Sequence, residues 1–272
     1  MNTTALLKLA DLNWAAALRQ QVRWSAGAEY CRLEGGELAL GATRFPGAPF
    51  NAVLRTSNQA PVARFLDEAE RAFARVTRRF SVYTRGHADA ELARECQRRG
   101  YLASGKLSIM VLKREQFVAR QSRAQRLDYV TDVSGVDRFA SIASDCFVSV
   151  DVPREAVRSA FSSSAQLLED GLRLLIGSTE AHAAATALSL DHQESTGLYW
   201  LGTLPEARRR GLATACVAAL AESAFGAGQR LVVVQAAPAL AGFYCTLGFE
   251  AISELEIYTN LRRANAPLSA LA

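Results

Sequence analysis

Apolar and polar positions along the chain alternate between helical and extended periods, in two successive blocks. Residues 5–22 place Leu6, Leu9, Trp14 and Leu18 near one face and predict an amphipathic helix. Residues 30–57 read as strand-like pieces broken by Gly35-Gly36, Gly41, Pro46, Gly47 and Pro49. From Asn58 to Arg79 the stripe Val62, Phe65, Leu66, Ala69, Phe73 and Val76 predicts a helix with Pro61 in its first turn. A short strand at 80–84, a helix at about 88–98, Gly100 and a strand at 106–113 complete the first block.

Residues 114–125 are polar, without a strand or core pattern, and read as a linker. The second block opens with a strand at 127–133 and helices at 136–147 and 153–161. Strands at 172–178, 183–190 and 197–203 follow, the last two joined by a turn around Asp191–Ser195. An Ala-rich helix at 211–225 ends at Gly226 and Gly228. A β-branched strand at 231–235, a helix at about 238–247 and a strand at 252–258 close the pattern.

The two blocks echo each other. FSVYTRGHADAELARECQRRGY (80–101) and RLVVVQAAPALAGFYCTLGF (230–249) both read strand, loop, helix, then glycine and an aromatic residue. Ile109-Met110 lies as far from Gly100 as Ile257-Tyr258 from Gly248. The echo implies two copies of one α/β design, with boundaries at 1–115 and 126–272 and a linker at 116–125.

Composition changes this picture little. Half the residues are hydrophobic and 21% charged, as in an ordinary folded protein. The net charge of +4 is unevenly shared: residues 1–125 carry +9 and residues 126–272 carry −5. In the basic half, Arg64, Arg71, Arg75, Arg78 and Arg79 recur at helical spacing among Asp67, Glu68 and Glu70, which reads as a solvated helix face rather than a nucleic-acid surface. Five scattered cysteines without CxxC spacing are expected to be reduced, mostly buried thiols of a cytoplasmic protein. No signal pattern or membrane-length apolar run is read from the sequence. Three isolated histidines (His87, His182, His192) give no metal-ligand spacing, so no metal is expected.

The chemistry concentrates where strand 197–203 meets the Ala-rich helix. Pro205 is followed by Arg208, Arg209, Arg210, Gly211, Leu212 and Ala213. The first turn of a helix offers N–H groups without intrahelical acceptors and a positive dipole end. Gly211 lets a phosphate approach the backbone, and three arginines add positive charge. The pattern suits a diphosphate.

In LGTLPEARRRGLATA (201–215) and FYCTLGF (243–249) the sequence resembles the GNAT superfamily of N-acetyltransferases. Arg208, Gly211 and Ala213 fill the family's Gln/Arg-x-x-Gly-x-Gly/Ala motif, and Tyr244 stands four residues before Gly248, as the family's tyrosine does. The resemblance implies a GNAT-like mixed sheet flanked by helices, in tandem. It implies acetyl-CoA as co-substrate, with its pyrophosphate held by backbone from Arg209 through Thr214 and its pantetheine paired to Leu201, Gly202 and Thr203. It also implies Tyr244 as general acid to the departing thiolate, and a primary amine as acceptor. Where the family often has an asparagine, this chain has Ala237, so that side-chain contact is missing.

In the first block Cys96 aligns with Tyr244, and no Arg-x-x-Gly-x-Gly/Ala precedes the helix near Asn58. That half is expected to be a degenerate copy that does not bind CoA and shapes the acceptor pocket or a dimer contact. Asp191, His192 and Glu194 read as a solvated turn, and no base is nominated. Of Tyr199 and Trp200, one is expected to face the acceptor and the other the core. A non-catalytic acyl-CoA sensor is the alternative reading.

Overall fold

The computed structural model describes residues 1–46, 50–118, 126–149, 151–180 and 182–261. Most of the expected linker, residues 119–125, therefore lies outside the described residues. In the first half, helix α1 (Thr3–Trp24) precedes β1 (Glu29–Leu33), β2 (Gly36–Leu40) and β3 (Asn51–Arg55). Helix α2 (Val62–Arg75), β4 (Phe80–Arg85), α3 (Ala90–Arg98) and β5 (Leu102–Lys113) complete it. The second half holds β6 (Arg126–Tyr129), α4 (Val133–Val148), α5 (Arg154–Ser159), β7 (Leu172–Ser178), β8 (Ala183–His192) and β9 (Ser195–Thr203). It ends with α6 (Leu212–Gly226), β10 (Leu231–Ala236), α7 (Pro238–Thr246) and β11 (Glu250–Asn260).

All eleven strands form one sheet, in the order β1-β2-β3-β4-β11-β5-β10-β9-β8-β7-β6. The halves exchange their last strands. β5 pairs antiparallel with β10 of the second half, and β11 pairs antiparallel with β4 of the first. The two exchanged strands also pair with each other, from Thr259 opposite Leu102 to Glu250 opposite Val111. The echo seen in the sequence becomes a pseudo-twofold: β1-β2-β3-α2-β4-α3-β5 repeats as β7-β8-β9-α6-β10-α7-β11.

Side chains alternate across this sheet, as strand geometry requires. On β10, Leu231 and Val233 pack with α1, whereas Val232, Val234 and Ala236 pack under α6 and α7. Helices α2 and α3 cover the same face of the first half as α6 and α7 do of the second. Helices α1, α4 and α5 lie on the other face.

That second face is concave. Arg19 of α1 pairs with Glu37 of β2 at 2.6 Å, while Asn13, under two turns away, donates to the Leu190 carbonyl of β8 at 3.2 Å. Strands β2 and β8 stand seven places apart in the sheet order. In a flat sheet that is roughly 34 Å, beyond the reach of two side chains on one helix about 10 Å wide. The sheet therefore curls around α1.

Asn13 is fully buried and fixes α1 to the second half. Its amide also donates to the Ser195 carbonyl and hydroxyl at 3.2 Å each, and its oxygen accepts from the Tyr199 hydroxyl at 2.7 Å. Gly197 lies directly beneath, where an added Cβ would stand 2.1 Å from the Asn13 oxygen. Further along, Gln21 accepts from the Trp200 indole at 3.2 Å and donates to the Ala160 carbonyl at 3.3 Å.

Because each half supplies the strand that completes the other, calorimetry on the full chain is expected to show one cooperative transition. A C-terminal half that folds alone as a stable monomer, or two separated transitions, would contradict the exchange. Asn13→Ala is expected to cost about 2 kcal/mol in denaturant unfolding, because it strands buried polar partners.

Candidate functional site

Parallel strands β9 and β10 pair over three positions only: Ser195 with Leu231, Thr196 with Val232 and Gly197 with Val233. Beyond Gly197 they diverge. β10 stays paired with β5 through Ala236, and β9 stays paired with β8 through Thr203. The edges of Leu198–Thr203 and of Val234–Ala236 that face each other carry no ladder. Backbone groups along them are left for water or a ligand. Sequence-predicted residues Leu201, Gly202 and Thr203 all lie on this open edge. The Thr203 hydroxyl is buried and has no hydrogen-bond partner.

Below the opening, Pro205–Ala207 form one 3-10 turn, and the chain enters α6 through two left-handed residues, Arg209 (φ 62°) and Gly211 (φ 84°). Such alternation turns successive amides toward one concavity. The first intrahelical bond runs from Ala215 N–H to the Gly211 carbonyl at 2.9 Å. The N–H groups of Leu212, Ala213 and Thr214 are therefore the unshared donors of the first turn, and Gly211 brings no capping side chain.

The three arginines differ from the expectation of a common cationic cluster. Arg208 is engaged by protein: its Nε donates to the Thr203 carbonyl at 3.1 Å and its Nη2 to the Ser149 hydroxyl at 2.7 Å. It braces the loop between β9 and the end of α4. Arg209 and Arg210 are exposed beside the turn.

Tyr244 sits on α7, which starts at Pro238 and stops at Gly248 (φ 92°). Its ring is 3% exposed and packs edge-on against Phe243 and Phe249 at 5.0 and 5.4 Å. It shares one apolar cluster with Leu198, Leu201, Ala207, Leu212 and Ala236, which are the walls and floor of the opening. Burial pushes its phenol well above the ordinary tyrosine range. The hydroxyl makes no hydrogen bond among the described residues, and burial favours its protonated form.

The turn between β8 and β9 is structural. Asp191 takes Arg173 on both oxygens (3.0 and 2.8 Å) and the Thr196 hydroxyl (2.6 Å), and Glu194 pairs with Arg230 at 2.9 Å. His192 is held below its ordinary pKa, chiefly by burial and secondarily by Arg19.

Tyr199 and Trp200 correct the sequence reading, which gave them opposite faces. A bulge sets Trp200 and Leu201 together opposite Ala187, with Trp200 at φ 51°. Both rings then lie on the concave face. Tyr199 stacks on Trp14 of α1 at 6.1 Å, and Trp200 packs among Phe50, Phe147 and Phe161. Nothing local in the sequence marks the bulge. Cysteines 96, 146 and 216 are buried as expected, and desolvation pushes each to about 12, whereas Cys245 is exposed. Among the described residues no acidic, histidine or cysteine group forms a metal cluster, and no helix is long and apolar enough to cross a membrane.

In the first half the corresponding strands β3 and β4 also pair over three positions, but Arg55, 4% exposed, occupies the end of β3 and donates to the Ala60 carbonyl at 2.9 Å. At the end of β4, Arg85 is clamped by Asp89 and Asp11. Both arginines at the first-half strand ends are thus engaged by protein groups. Two surface concavities, of about 410 and 470 Å³, lie around Arg138 and His182 and around Val62 and Arg94.

Residues 176–258 match the family described as FR47-like protein. No curated protein matches the chain in sequence. Its fold is that of solved GCN5-related N-acetyltransferases. The protein of that description from Kribbella flavida superposes with a TM-score of 0.69 at 16% identity, over 92% of this chain and 95% of that one. One from Sphaerobacter thermophilus gives 0.59 at 15%, over 83% and 76%. A tandem GNAT protein from the clavulanic acid biosynthesis pathway gives 0.61 at 14%, over 96% and 95%. The recognition of a tandem GNAT-like α/β architecture therefore holds.

Left-handed geometry at the entry to α6 has a measurable cost. Gly211→Ala is expected to destabilise the protein by about 1 kcal/mol, since an L residue is disfavoured there. Gly226→Ala, at the other end of the same helix and with nothing within 4 Å of the new Cβ, is expected to stabilise it by up to about 1 kcal/mol. Equal effects of the two, by thermal or denaturant unfolding, would refute the assignment of strain to the loop.

Proposed function

We propose that this protein transfers an acetyl group from acetyl-CoA to a primary amine, at the opening between β9 and β10. The observation that carries the reading is the coincidence of three unshared donor sets in one cleft. These are the first-turn amides of α6, the ladder-free edge of β9 with the orphaned Thr203 hydroxyl, and the buried Tyr244 phenol.

Each set suits one part of the ligand. The amides of Leu212, Ala213 and Thr214, with the turn at Arg209 and Gly211, would hold the pyrophosphate. The edge of Leu198–Thr203 would pair with the pantetheine amides as an extra strand does. Acetyl-CoA supplies the thioester carbonyl. The neutral amine bonds to that carbon, the carbon–sulfur bond breaks, and the thiolate takes the Tyr244 proton while the amine proton leaves to water. A phenol raised by burial keeps its proton at neutral pH and so meets the thiolate in its protonated form.

The first half would serve as a wall. Its α1 packs Trp14 against Tyr199 and ties Gln21 to Trp200. The amine would enter from this concave side, because α6 and α7 cover the other face.

Two measurements test the proposal. Calorimetry is expected to show one CoA per chain, with affinity lost on Gly211→Val. Tyr244→Phe is expected to keep CoA binding and lower turnover by about 10²- to 10⁴-fold. The protonated phenol is the active form and its pKa is raised, so the parent rate should not fall between pH 8 and 10 through this group. CoA binding with no turnover of any amine would favour the sensor reading, and absence of CoA binding would refute both.

A further inference from the structure

We propose that the acceptor amine is carried on an apolar, ring-sized body, and that Phe45 of the first half, together with Phe147, selects it. This rests on the β9–β10 opening being the acyl-transfer site.

Where β9 leaves β10, its bulge turns the Trp200 indole into the concave face. The ring is backed by Phe161 at 4.8 Å and flanked by Phe147 at 5.1 Å and Phe50 at 6.2 Å. Phe45 meets Phe50 edge-on at 5.6 Å and extends the wall outward. Phe50 and Phe161 are buried, whereas Phe45 and Phe147 are half-buried, with part of each ring open. The inner pair and Trp200 are core, and the outer pair stands at its open edge. Leu204 and Val152, also half-buried, belong to the same cluster.

The segment that presents Phe45 is held rigidly. Asn51, fully buried, accepts from Gly41 N–H at 3.0 Å and donates to the Thr43 and Phe45 carbonyls at 2.9 and 2.7 Å. The Ser81 hydroxyl donates to the Pro46 carbonyl, and Arg78 donates to the Gly41 carbonyl. These bonds brace the β2–β3 connection against the first half's own strands while its aromatic tip reaches the second half. The second half alone would lack this side of the wall.

Charge around the wall points the same way. Asp145, two residues before Phe147 on α4, is paired with Arg154. The Arg208 guanidinium is held by Thr203 and Ser149. An aryl or branched alkyl group would be met by the open parts of the Phe45 and Phe147 rings.

The test compares 2-phenylethylamine, spermidine and glucosamine on the full chain, in calorimetric titration and in acetyl transfer. Phenylethylamine is expected to have a kcat/KM at least about tenfold above the other two. Phe45→Ala and Phe147→Ala are each expected to raise its KM about tenfold, leaving CoA affinity and the spermidine parameters unchanged. Spermidine or glucosamine used as well as phenylethylamine would overturn the proposal. So would an unchanged preference in both variants with CoA binding intact. If CoA does not bind, the acyl-transfer reading fails by itself and the pocket is judged by phenylethylamine titration alone. Binding lost in Phe45→Ala would support it, and absence of binding to the parent would overturn it.

Discussion

Strands β5 and β11 hydrogen-bond to each other along most of their length, and each is also bound to the other half's preceding strand, β10 or β4. Neither half can complete its sheet without this ribbon. Its pairs join residues well over a hundred positions apart in sequence, so the loop-closure entropy is met only when the whole core forms. The ribbon places the two halves about a pseudo-twofold and sets the curl that encloses α1. With α1 inside the curl, its polar residues become structural: Asn13 and Gln21 are buried and bonded to the second half instead of facing solvent.

The candidate site follows from the same constraint. β10 is held on one side by β5 up to Ala236, while β9 is held on its far side by β8 up to Thr203. Neither strand is free to close on the other, so the gap past Gly197 stays open. Such a gap leaves backbone polar groups unpaired, which folding alone disfavours. The loop below it adds two left-handed residues, one of them Arg209. Local cost of this kind collects where a ligand is to be received. In the first half the chain has no comparable left-handed entry into α2, whose cap is Pro61 at φ −57°. The comparison between halves isolates what the second one retains.

Much of this was legible in the sequence, for reasons that can be located. The periods of α2 and α6, the punctuation by Gly100 and Gly248, and the spacing of Arg208, Gly211 and Tyr244 are local signals, and local structure obeys them. The internal echo was visible because each half repeats the same strand–helix–strand order around those glycines. The exchange of β5 and β11 was not legible, since two strands of similar pattern give no sign of which neighbour each will take. The burial of Asn13 was hidden for the same reason: its partners lie 177 and 182 residues away. The shared face of Tyr199 and Trp200 was missed because a bulge at Trp200-Leu201 breaks the two-residue alternation. Arg208 looked like a phosphate ligand by position, and only the fold shows it spanning to Ser149.

The central claim is that the amides opening α6 and the free edge of β9 together receive one extended anionic thioester. Diffraction from crystals soaked in acetyl-CoA tests it most directly. The account predicts continuous density through the β9–β10 gap, with the diphosphate against Leu212–Thr214 and the acetyl group near the Tyr244 hydroxyl. Density for the nucleotide elsewhere on the molecule, or none in this gap at saturating ligand, would contradict it.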